Sequence, residues 1–382
     1  MGLPHCEFTV SEILSMQMSL SIYGTEIDTG VFPASYAVAR HGWLALLAEL
    51  RHPVRHEIYQ CVGLGPDGET LLTDTAWIGD ENAENLVVAI AATHGVEGFA
   101  GSAIQLDLLQ GISKHQLDIP NDTAILLIHA LTPWGYAWSR RCDGDGVDLN
   151  RNAVDFSQPL PENPDYDKLR DWLFVADTGQ RQQAFADFSW QYGRVALEKA
   201  ISGGQYRDPS GPFYGGSAPA HGRLVCEDLI QRHNLAQRRV AVVDLHTGLG
   251  PYGYGEIICD HRPDSAGAAV AQSWYGDSVT LPLAGTSSSV PKLGLLDYLW
   301  HANMNPQSCY VTLEFGTYST DHLFEVLLRD HQLWAAEDNH DQRFAHSMVM
   351  RHHFCPNDNA WQEMVLFRAR QVLGQALRGV SS

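Results

Sequence analysis

Four apolar runs predict that the chain contains a buried β-sheet. They are "NLVVAIAAT" (85–93), "TAILLIHAL" (123–131), "RRVAVVDL" (238–245) and "CYVTLEFG" (309–316). Near-continuous apolar runs of this length are typical of strands covered on both faces. Helical periodicity lies between them, for instance in "FAGSAIQLDLLQG" after the first run. The pattern predicts an α/β fold: a single domain with a central mixed, largely parallel sheet that helices cover on both faces.

Other periodic segments flank these four strands. A helix is predicted over "ASYAVARHGWLALLAEL" (34–50), and "VRHEIYQCV" and "TLLTDTAWI", joined by the turn "GPDGE", predict a β-hairpin. After the last buried strand, "TDHLFEVLLRDHQLWAAED" and "AWQEMVLFRARQVLGQALRG" predict two helices that pack on the sheet as its closing layer. We divide the chain into an N-terminal extension, 1–30, and one domain, 31–382.

Residues 155–222 have a different composition, because Pro, Gly, Tyr and Asp accumulate there. Apart from a helical piece near "FADFSWQYGRVALEKA", we expect a long irregular loop in this segment. Long irregular segments inside compact domains tend to carry function. We expect this one to narrow a cleft and to favour short substrates.

Charge and cysteine content narrow the function classes. The formal net charge of −20, from 45 acidic and 25 basic residues, disfavours nucleic acid and anionic membranes as partners. The first 39 residues contain neither Lys nor Arg, and no apolar run reaches transmembrane length, so we expect a cytoplasmic protein. The seven cysteines are scattered and never spaced C-x-x-C, which predicts reduced thiols and no cysteine zinc site.

Polar side chains follow three of the buried strands. His94 and Glu97 follow the first strand in "THGVEG", His246 ends the third in "DLHTG", and Glu314 belongs to the fourth in "LEFG". In open α/β sheets, ligands bind outside the carboxyl ends of the strands. We therefore expect these four side chains to lie close together.

Their chemistry suits a catalytic zinc site, in which three His or carboxylate ligands leave one position open for water. His94 and Glu97 would supply two ligands from one turn, and His246 the third. Glu314 is then a spare carboxylate, able to accept a proton from zinc-bound water and pass it to the leaving group. Each motif alone is weak, because the chain has 18 His. Their shared position at strand ends is what favours one zinc ion per chain.

A second group of polar residues lies in "WSRRCDGDGVDLNRNAVDF". Arg141, Asn150 and Arg151 suit a substrate that ends in a carboxylate, because a guanidinium donates two parallel hydrogen bonds to it and an amide adds a third. Standing alone, the same stretch fits better with a solvated loop whose arginines pair with its own aspartates.

Three other motifs are disfavoured as ligand-binding sites. The aspartates from Asp143 onward mismatch an EF-hand, because Asp148 occupies the position that requires Gly. "GLGPYG" satisfies G-x-G-x-x-G, but a strand-like "YGEIICD" follows it instead of a helix, which disfavours a dinucleotide site. In "RHHFC", His352 and His353 are adjacent, and neighbouring side chains rarely face one ion together.

Taken together, "HGVE", "RRCDGDGVDLNRN", "DLHTG" and "TLEFG", in that order, resemble the zinc carboxypeptidase superfamily. The resemblance covers "FPASYAVAR" to about residue 340. It is closest to a bacterial carboxypeptidase-like branch, through "THGVEGFAGS", "GGQYRDPSGPFYGG" and "LEFGTYS".

The resemblance implies a role for each candidate residue. His94, Glu97 and His246 would bind zinc, Glu314 would be the general base, and Arg141 would polarise the scissile carbonyl and stabilise its oxyanion. Asn150 and Arg151 would hold the terminal carboxylate of the substrate. The family also has a mobile Tyr that covers the substrate, for which Tyr275, Tyr298 and Tyr318 are the candidates.

Three functions remain open from the sequence. The first is a metallocarboxypeptidase, and the second is an N-acyl amino acid deacylase resembling aspartoacylase and succinylglutamate desuccinylase, whose ligand pattern is the same. Their substrates would be a small peptide or an acylated amino acid. The third is a metal-binding protein without catalysis, which the presence of every residue that the chemistry needs argues against.

Overall fold

One eight-stranded sheet forms the centre of the molecule. The computed structural model describes residues 26–175, 177–336 and 339–382, so the predicted N-terminal extension, 1–30, lies outside the described residues up to residue 25. The strands are β1 (Val54–Leu64), β2 (Thr70–Ile78), β3 (Asn85–Ile90), β4 (Thr123–His129), β5 (Arg239–Gly248), β6 (Gly255–Ile258), β7 (Val279–Thr280) and β8 (Cys309–Gly316).

The strand order is β1-β2-β4-β3-β5-β8-β6-β7. The four apolar runs form the centre, where β4, β3, β5 and β8 are all parallel. β1 and β2 form the predicted antiparallel hairpin, β2 continues antiparallel to β4, and β6 lies antiparallel to β8. The prediction of a mixed, largely parallel sheet is therefore confirmed.

Helices cover both faces of this sheet. Those in the described residues are α1 (Tyr36–Glu49), α2 (Gly98–Ser113), α3 (Pro133–Ala137), α4 (Pro164–Leu173), α5 (Thr178–Tyr192), α6 (Arg194–Ser202), α7 (His221–Arg232), α8 (Ala266–Tyr275), α9 (Leu296–His301), α10 (Thr320–Ala335), α11 (His340–Phe354) and α12 (Asn359–Val380). Along β3, Val87 packs into one apolar cluster and Val88 into another. Because successive strand residues point to opposite faces, the two clusters are the two sides of the sheet. Trp361 of α12 packs on the first side and Trp300 of α9 on the second.

The prediction for 155–222 is right in part. The second half of α5 and most of α6 cover the predicted helical piece, 185–200, but α4 and the first half of α5 lie where we expected an irregular loop. These helices bury few residues; in α5 only Arg181 and Phe188 are buried, so no clear apolar stripe marks it. The starts of α4 and α5 are fixed by capping side chains instead. Asn163 accepts a hydrogen bond from the Tyr166 N–H, and Asp177 from the Gly179 N–H.

The last part of the chain also contains one more helix than predicted. The two predicted helices correspond to α10 and α12, and α11 lies between them. Only Met350, His353 and Phe354 of α11 are buried, which explains its weak apolar pattern. Within the described part of the chain, none of the helices combines the length and apolar character that crossing a membrane requires.

Candidate metal and catalytic site

The parallel register of the central strands brings the predicted site residues to one edge of the sheet. Ile90 at the end of β3 lies opposite Asp244 of β5, and His246 of β5 lies opposite Glu314 of β8. After β3 the chain makes a short 3₁₀ turn, Gly95–Glu97, before α2 begins. His94, Glu97, His246 and Glu314 therefore lie together, as the sequence predicted.

A close backbone contact fixes the turn after β3. A Cβ atom added to Gly95 would lie 2.2 Å from the carbonyl carbon of Gly135 in α3, so only glycine lets the two segments meet. The Gly95 N–H donates to the carbonyl of Arg141 at 3.0 Å, and the Val96 N–H to that of Arg140 at 2.8 Å. The same contact therefore places both Glu97 and the Arg141 segment.

His94, Glu97 and His246 form a compact group of potential metal ligands. Nδ1 of His94 lies 2.9 Å from Oε1 of Glu97, and Nδ1 of His246 lies 3.1 Å from Oε2 of the same carboxylate. The two Nδ1 atoms are 3.1 Å apart, and all three side chains are buried. Among the residues that the structure describes, this is the only group of three His, Cys, Asp or Glu side chains able to hold an ion.

Two aspartates that we did not single out as site residues from the sequence orient the imidazoles. Oδ1 of Asp148 lies 3.2 Å from Nε2 of His94, and Oδ2 of Asp244 lies 2.8 Å from Nε2 of His246. The hydroxyls of Thr93 and Tyr310 each donate to Asp244 at 2.7 Å. A carboxylate behind a ligating histidine fixes the ring and its tautomer, so Asp244 leaves Nδ1 of His246 free to face an ion.

Arg141 lies directly beside this group. Its Nη1 donates to Glu97 at 3.1 Å and its Nε to Asp148 at 3.0 Å, while Nη2 lies 2.7 Å from Nε2 of His94. Arg141 also lines the pocket that contains Glu314. Its positive charge is therefore held within reach of any carbonyl oxygen that binds beside the ligand group.

Glu97 and Glu314 have opposite electrostatic environments. Burial opposes ionisation of Glu97, but the charges and hydrogen bonds of His94 and His246 outweigh it and hold its pKa well below the usual range. Burial and the neighbouring charge of Glu97 raise the pKa of Glu314 to about 7. The Leu249 N–H donates to Oε1 of Glu314 at 2.9 Å and fixes the carboxylate. Two carboxylates with divergent pKa values are typical of a ligand next to an acid–base group.

Asn150 and Arg151 line the same pocket, at the turn that follows Asp148. The side-chain oxygen of Asn150 accepts a hydrogen bond from the Leu296 N–H at 2.8 Å, which leaves its amide NH₂ for a ligand. Nε and Nη2 of Arg151 donate to the carbonyl of Ser202 at 3.1 and 2.6 Å. The guanidinium is therefore anchored by the last residue of α6, a helix that covers part of the predicted helical piece, 185–200.

Two further charged residues of the pocket escaped the sequence analysis. Asp260 follows β6, and Lys292 lies in the segment that precedes α9; both line the pocket with the metal ligands. Asp260 ends the strand-like "YGEIICD", but β6 runs antiparallel to β8, so the rule for the carboxyl ends of parallel strands did not mark it, and we found no signal for Lys292 in the sequence.

The three tyrosines proposed as a substrate cover are absent from the described residues that line this pocket. The Tyr275 hydroxyl is buried without a hydrogen-bond partner in the described chain, and that of Tyr298 donates to the carbonyl of Lys292 at 3.3 Å. The Tyr318 hydroxyl lies 2.7 Å from Nε2 of His352. Structural roles therefore account for Tyr298 and Tyr318.

The other predicted exclusions concern the glycine-rich turn and the histidine pair. β6 follows "GLGPYG", so no helix N-terminus faces that turn. His352 contacts Tyr318, whereas Nδ1 of His353 lies 2.9 Å from Nδ1 of His322. The pair thus points to different partners, as expected.

The donor set fits a divalent transition metal. Two imidazole nitrogens and one carboxylate converge on one point. The Nε2 atoms of the two histidines lie against Asp148 and Asp244, and the carboxylate of Glu97 accepts hydrogen bonds from protein N–H groups. The pocket leaves one side of this group open. Two histidines and a carboxylate are the ligands of many catalytic zinc sites.

Several solved structures resemble the chain at low identity. Murein-tripeptide amidase from Escherichia coli O157 is 16% identical with a TM-score of 0.32, over 81% of this chain and 96% of that one. An aspartoacylase family protein from Mesorhizobium loti is 13% identical with a TM-score of 0.35, over 80% and 69%. Bovine thrombin-activatable fibrinolysis inhibitor, in complex with tick carboxypeptidase inhibitor, is 10% identical with a TM-score of 0.39, over 89% and 98%.

A comparison with curated proteins found no match by sequence. The family model described as "Protein of unknown function (DUF2817)" matches residues 32–368. Because this match spans most of the 382 residues, the chain belongs to the DUF2817 family.

Proposed function

We propose that the protein is a zinc-dependent hydrolase that cleaves an amide bond next to a free carboxylate, most simply a metallocarboxypeptidase. The observation that carries the proposal is the convergence of His94, Glu97 and His246 in one pocket with Glu314. The ligand group offers its Nδ1 and carboxylate atoms to one point, and the spare carboxylate lines the same pocket.

Glu314 is the general base of the proposed reaction. A zinc ion held by His94, Glu97 and His246 would supply Lewis acidity, which polarises the scissile carbonyl and acidifies a water molecule. Glu314 takes a proton from the attacking water and later returns it to the departing amine. A raised pKa of about 7 suits a group that both accepts and gives up a proton near neutral pH.

Arg141 stabilises the negative charge that develops on the carbonyl oxygen. Its contacts to Glu97 and Asp148 hold the guanidinium in place before the substrate arrives. Fixed donors of this kind lower the barrier because they need no reorganisation during the reaction.

Asn150 and Arg151 bind the terminal carboxylate of the substrate. Asn150 keeps its amide NH₂ for this purpose, and Arg151 retains N–H groups beyond those anchored to Ser202. With the terminal carboxylate held here, the bond beside Glu314 is the one that joins the last residue to the rest of the substrate, which favours release of a single amino acid.

The test combines metal content with product release. Purified protein is assayed for zinc and then for free amino acids released from C-terminally free peptides and from N-acyl amino acids, with and without a chelator. We expect about one zinc ion per chain and chelator-sensitive release. Release from acylated amino acids but not from peptides would replace the carboxypeptidase by the deacylase.

Glu314→Gln is the matched variant for the base. We expect it to keep zinc and to lose activity by about 10²–10⁴-fold, because proton transfer typically contributes that much. Glu363→Gln, on the exposed surface of α12, is the control and should match the wild type. A zinc-loaded wild type without any release, or undiminished release by Glu314→Gln, would contradict the proposed mechanism.

A further inference from the structure

The pocket contains a carboxylate that has no partner. Asp260 is half-buried beside the proposed metal ligands, and among the described residues no hydrogen bond or ion pair reaches its side chain. Burial and the neighbouring carboxylate of Asp297 oppose its ionisation, whereas the charges of Lys292 and Arg151 favour it, yet neither cation is within ion-pair distance. A charge that is partly withdrawn from water without a partner is costly, so it is normally retained where a ligand completes it.

A cation in the same pocket is also without a counter-ion. The Lys292 ammonium donates to the hydroxyl of Ser289 and, at 2.9 Å, to the carbonyl of Val290, both of which are uncharged. It makes no ion pair within the described residues, and it lines the pocket together with Arg151. Two opposite charges that share a pocket without touching leave room for a ligand that meets both.

The segments that carry these charges are fixed by Glu256 of β6. This buried carboxylate accepts hydrogen bonds from the hydroxyl of Ser287 at 2.8 Å, from the Ser288 N–H at 3.1 Å and from the Ser288 hydroxyl. The segment leading to Lys292 is therefore tied to the strand that ends just before Asp260. The spacing of the two charges is set before a ligand binds.

Apolar walls accompany the two charges. Ile258, Val290 and Leu295 line the same pocket as Asp260. A ligand that suits this lining has an aliphatic stem between its carboxylate and a cationic end. Lysine and related diamino acids have this form, because their methylene groups pack on apolar walls while the ammonium meets a carboxylate.

We propose that Asp260 is a specificity-determining residue that selects a substrate whose C-terminal residue carries a side-chain ammonium group on an aliphatic stem. The placement of that residue rests on the proposed function, since its α-carboxylate is bound by Asn150 and Arg151, with Lys292 as a third contact. The side chain then extends along Ile258 and Val290 to Asp260.

The test uses product binding, so that it does not depend on hydrolysis. Binding of L-lysine and of L-norleucine, which lacks only the amino group, is measured by calorimetry on the purified full chain. We expect L-lysine to bind about tenfold more tightly or better, since close charge pairs in buried sites contribute at least that much. Equal affinities, or tighter binding of L-norleucine, would overturn the proposal.

Variants assign the preference to a residue. Asp260→Asn and Asp260→Ala should weaken L-lysine to the level of L-norleucine and leave L-norleucine unchanged. Asp264→Asn, which removes an exposed carboxylate four residues away, should retain the wild-type preference. Lys292→Met should weaken both ligands by a similar factor, because it removes a contact to the carboxylate that they share. A preference that survives in Asp260→Asn, or unchanged binding in Lys292→Met, would refute the corresponding assignment.

Thermal stability and hydrolysis are measured separately from product binding. Because Asp260 makes no hydrogen bond in the described chain, Asp260→Asn should melt at the wild-type temperature or above it, and a lower midpoint would indicate a structural role instead. Hydrolysis of blocked dipeptides ending in lysine or norleucine is measured in parallel. Selective L-lysine binding without hydrolysis would refute the proposed carboxypeptidase and leave the subsite standing.

Discussion

At the scale of single residues, the site depends on side chains that contact the proposed metal ligands and hold them in place. Asp244 holds Nε2 of His246, and its own oxygens are held by the hydroxyls of Thr93 and Tyr310. Burial opposes protonation of His246, but the charge and hydrogen bond of Asp244 raise its pKa well above the ordinary value. The ring is thus oriented, and its basicity increased, by a group that contacts no substrate.

Asp244→Asn tests this positioning role. We expect zinc affinity to fall by about 10–100-fold, the usual cost of losing a carboxylate behind a histidine ligand. Competition with a chromogenic chelator measures the affinity, and the thermal midpoint of the metal-free protein reports on structure. Asp165→Asn, at an exposed ion pair with Lys168, is the control. Wild-type zinc affinity in Asp244→Asn would exclude the role.

The sequence identified residues that follow strand ends, but not those whose importance comes from tertiary spacing. His94, Glu97, His246 and Glu314 were predictable because parallel strands end at one edge. Lys292 was not, because its relation to the site depends on a segment held in place by Glu256. Unpaired charge, which marks such residues, is visible only once all neighbours are known.

At the scale of elements, the site depends on a tight junction between the turn Gly95–Glu97 and α3. The junction has no space for a side chain at Gly95, and it carries Glu97 on one side and leads to Arg141 on the other. The positions of Glu97 and Arg141 therefore depend on how these two short helical segments pack against each other.

Gly95→Ala tests the junction. The added Cβ would meet backbone atoms of Gly135, which cannot move aside as a side chain can. We expect a loss of about 1–3 kcal/mol in the free energy of unfolding, the common cost of overpacking, together with weaker zinc binding. Urea denaturation and chelator competition measure the two effects.

Gly42→Ala is the matched control for this change. Within α1 its Cβ would meet only Leu106, at an ordinary 3.5 Å. Replacing a glycine inside a helix by alanine should raise stability by about 0.5–1 kcal/mol. If both variants shifted stability in the same direction, the steric argument for Gly95 would fail.

The sequence pattern predicted correctly the elements that are extensively buried. β3, β4, β5 and β8 are buried on both faces, and their apolar runs predicted them. α5 shows the opposite case, because its first turns, which follow the cap Asp177, carry no apolar pattern, and only its second half was predicted to be helical. Amphipathic periodicity is strong only for elements that press a continuous face on the core.

At the scale of the whole molecule, burial of histidines ties stability to pH. Burial lowers the pKa of His129 and of His331 to about 4. Each lowered pKa means that the folded protein favours the neutral imidazole. The contribution of each neutral imidazole to stability is therefore fully present above the unfolded pKa of about 6.5. That contribution is lost as the pH falls from about 6.5 to 4, because the unfolded chain takes up protons that the folded protein excludes.

His331→Gln should flatten this pH dependence. One excluded proton corresponds to a slope of up to about 1.4 kcal/mol per pH unit, and the variant should lack that part of it. Besides burial, Arg140, Asp330, Asp148 and the Ser210 carbonyl act on this imidazole. Urea midpoints measured between pH 4 and 7 give the slope for each protein. The exposed His41→Gln is the control, and identical slopes for wild type and His331→Gln would disprove the expectation.

The pairing of β3 directly with β5 has a consequence for biosynthesis. Many residues separate the two strands along the chain, yet the three ligands that they carry are all synthesised before β8, which brings Glu314. At about 5–20 residues per second, several seconds pass between the two events. A nascent chain thus has the complete proposed ligand group before it has the proposed base, so an ion captured in that interval would hold β3 and β5 together before the proposed hydrolysis is possible.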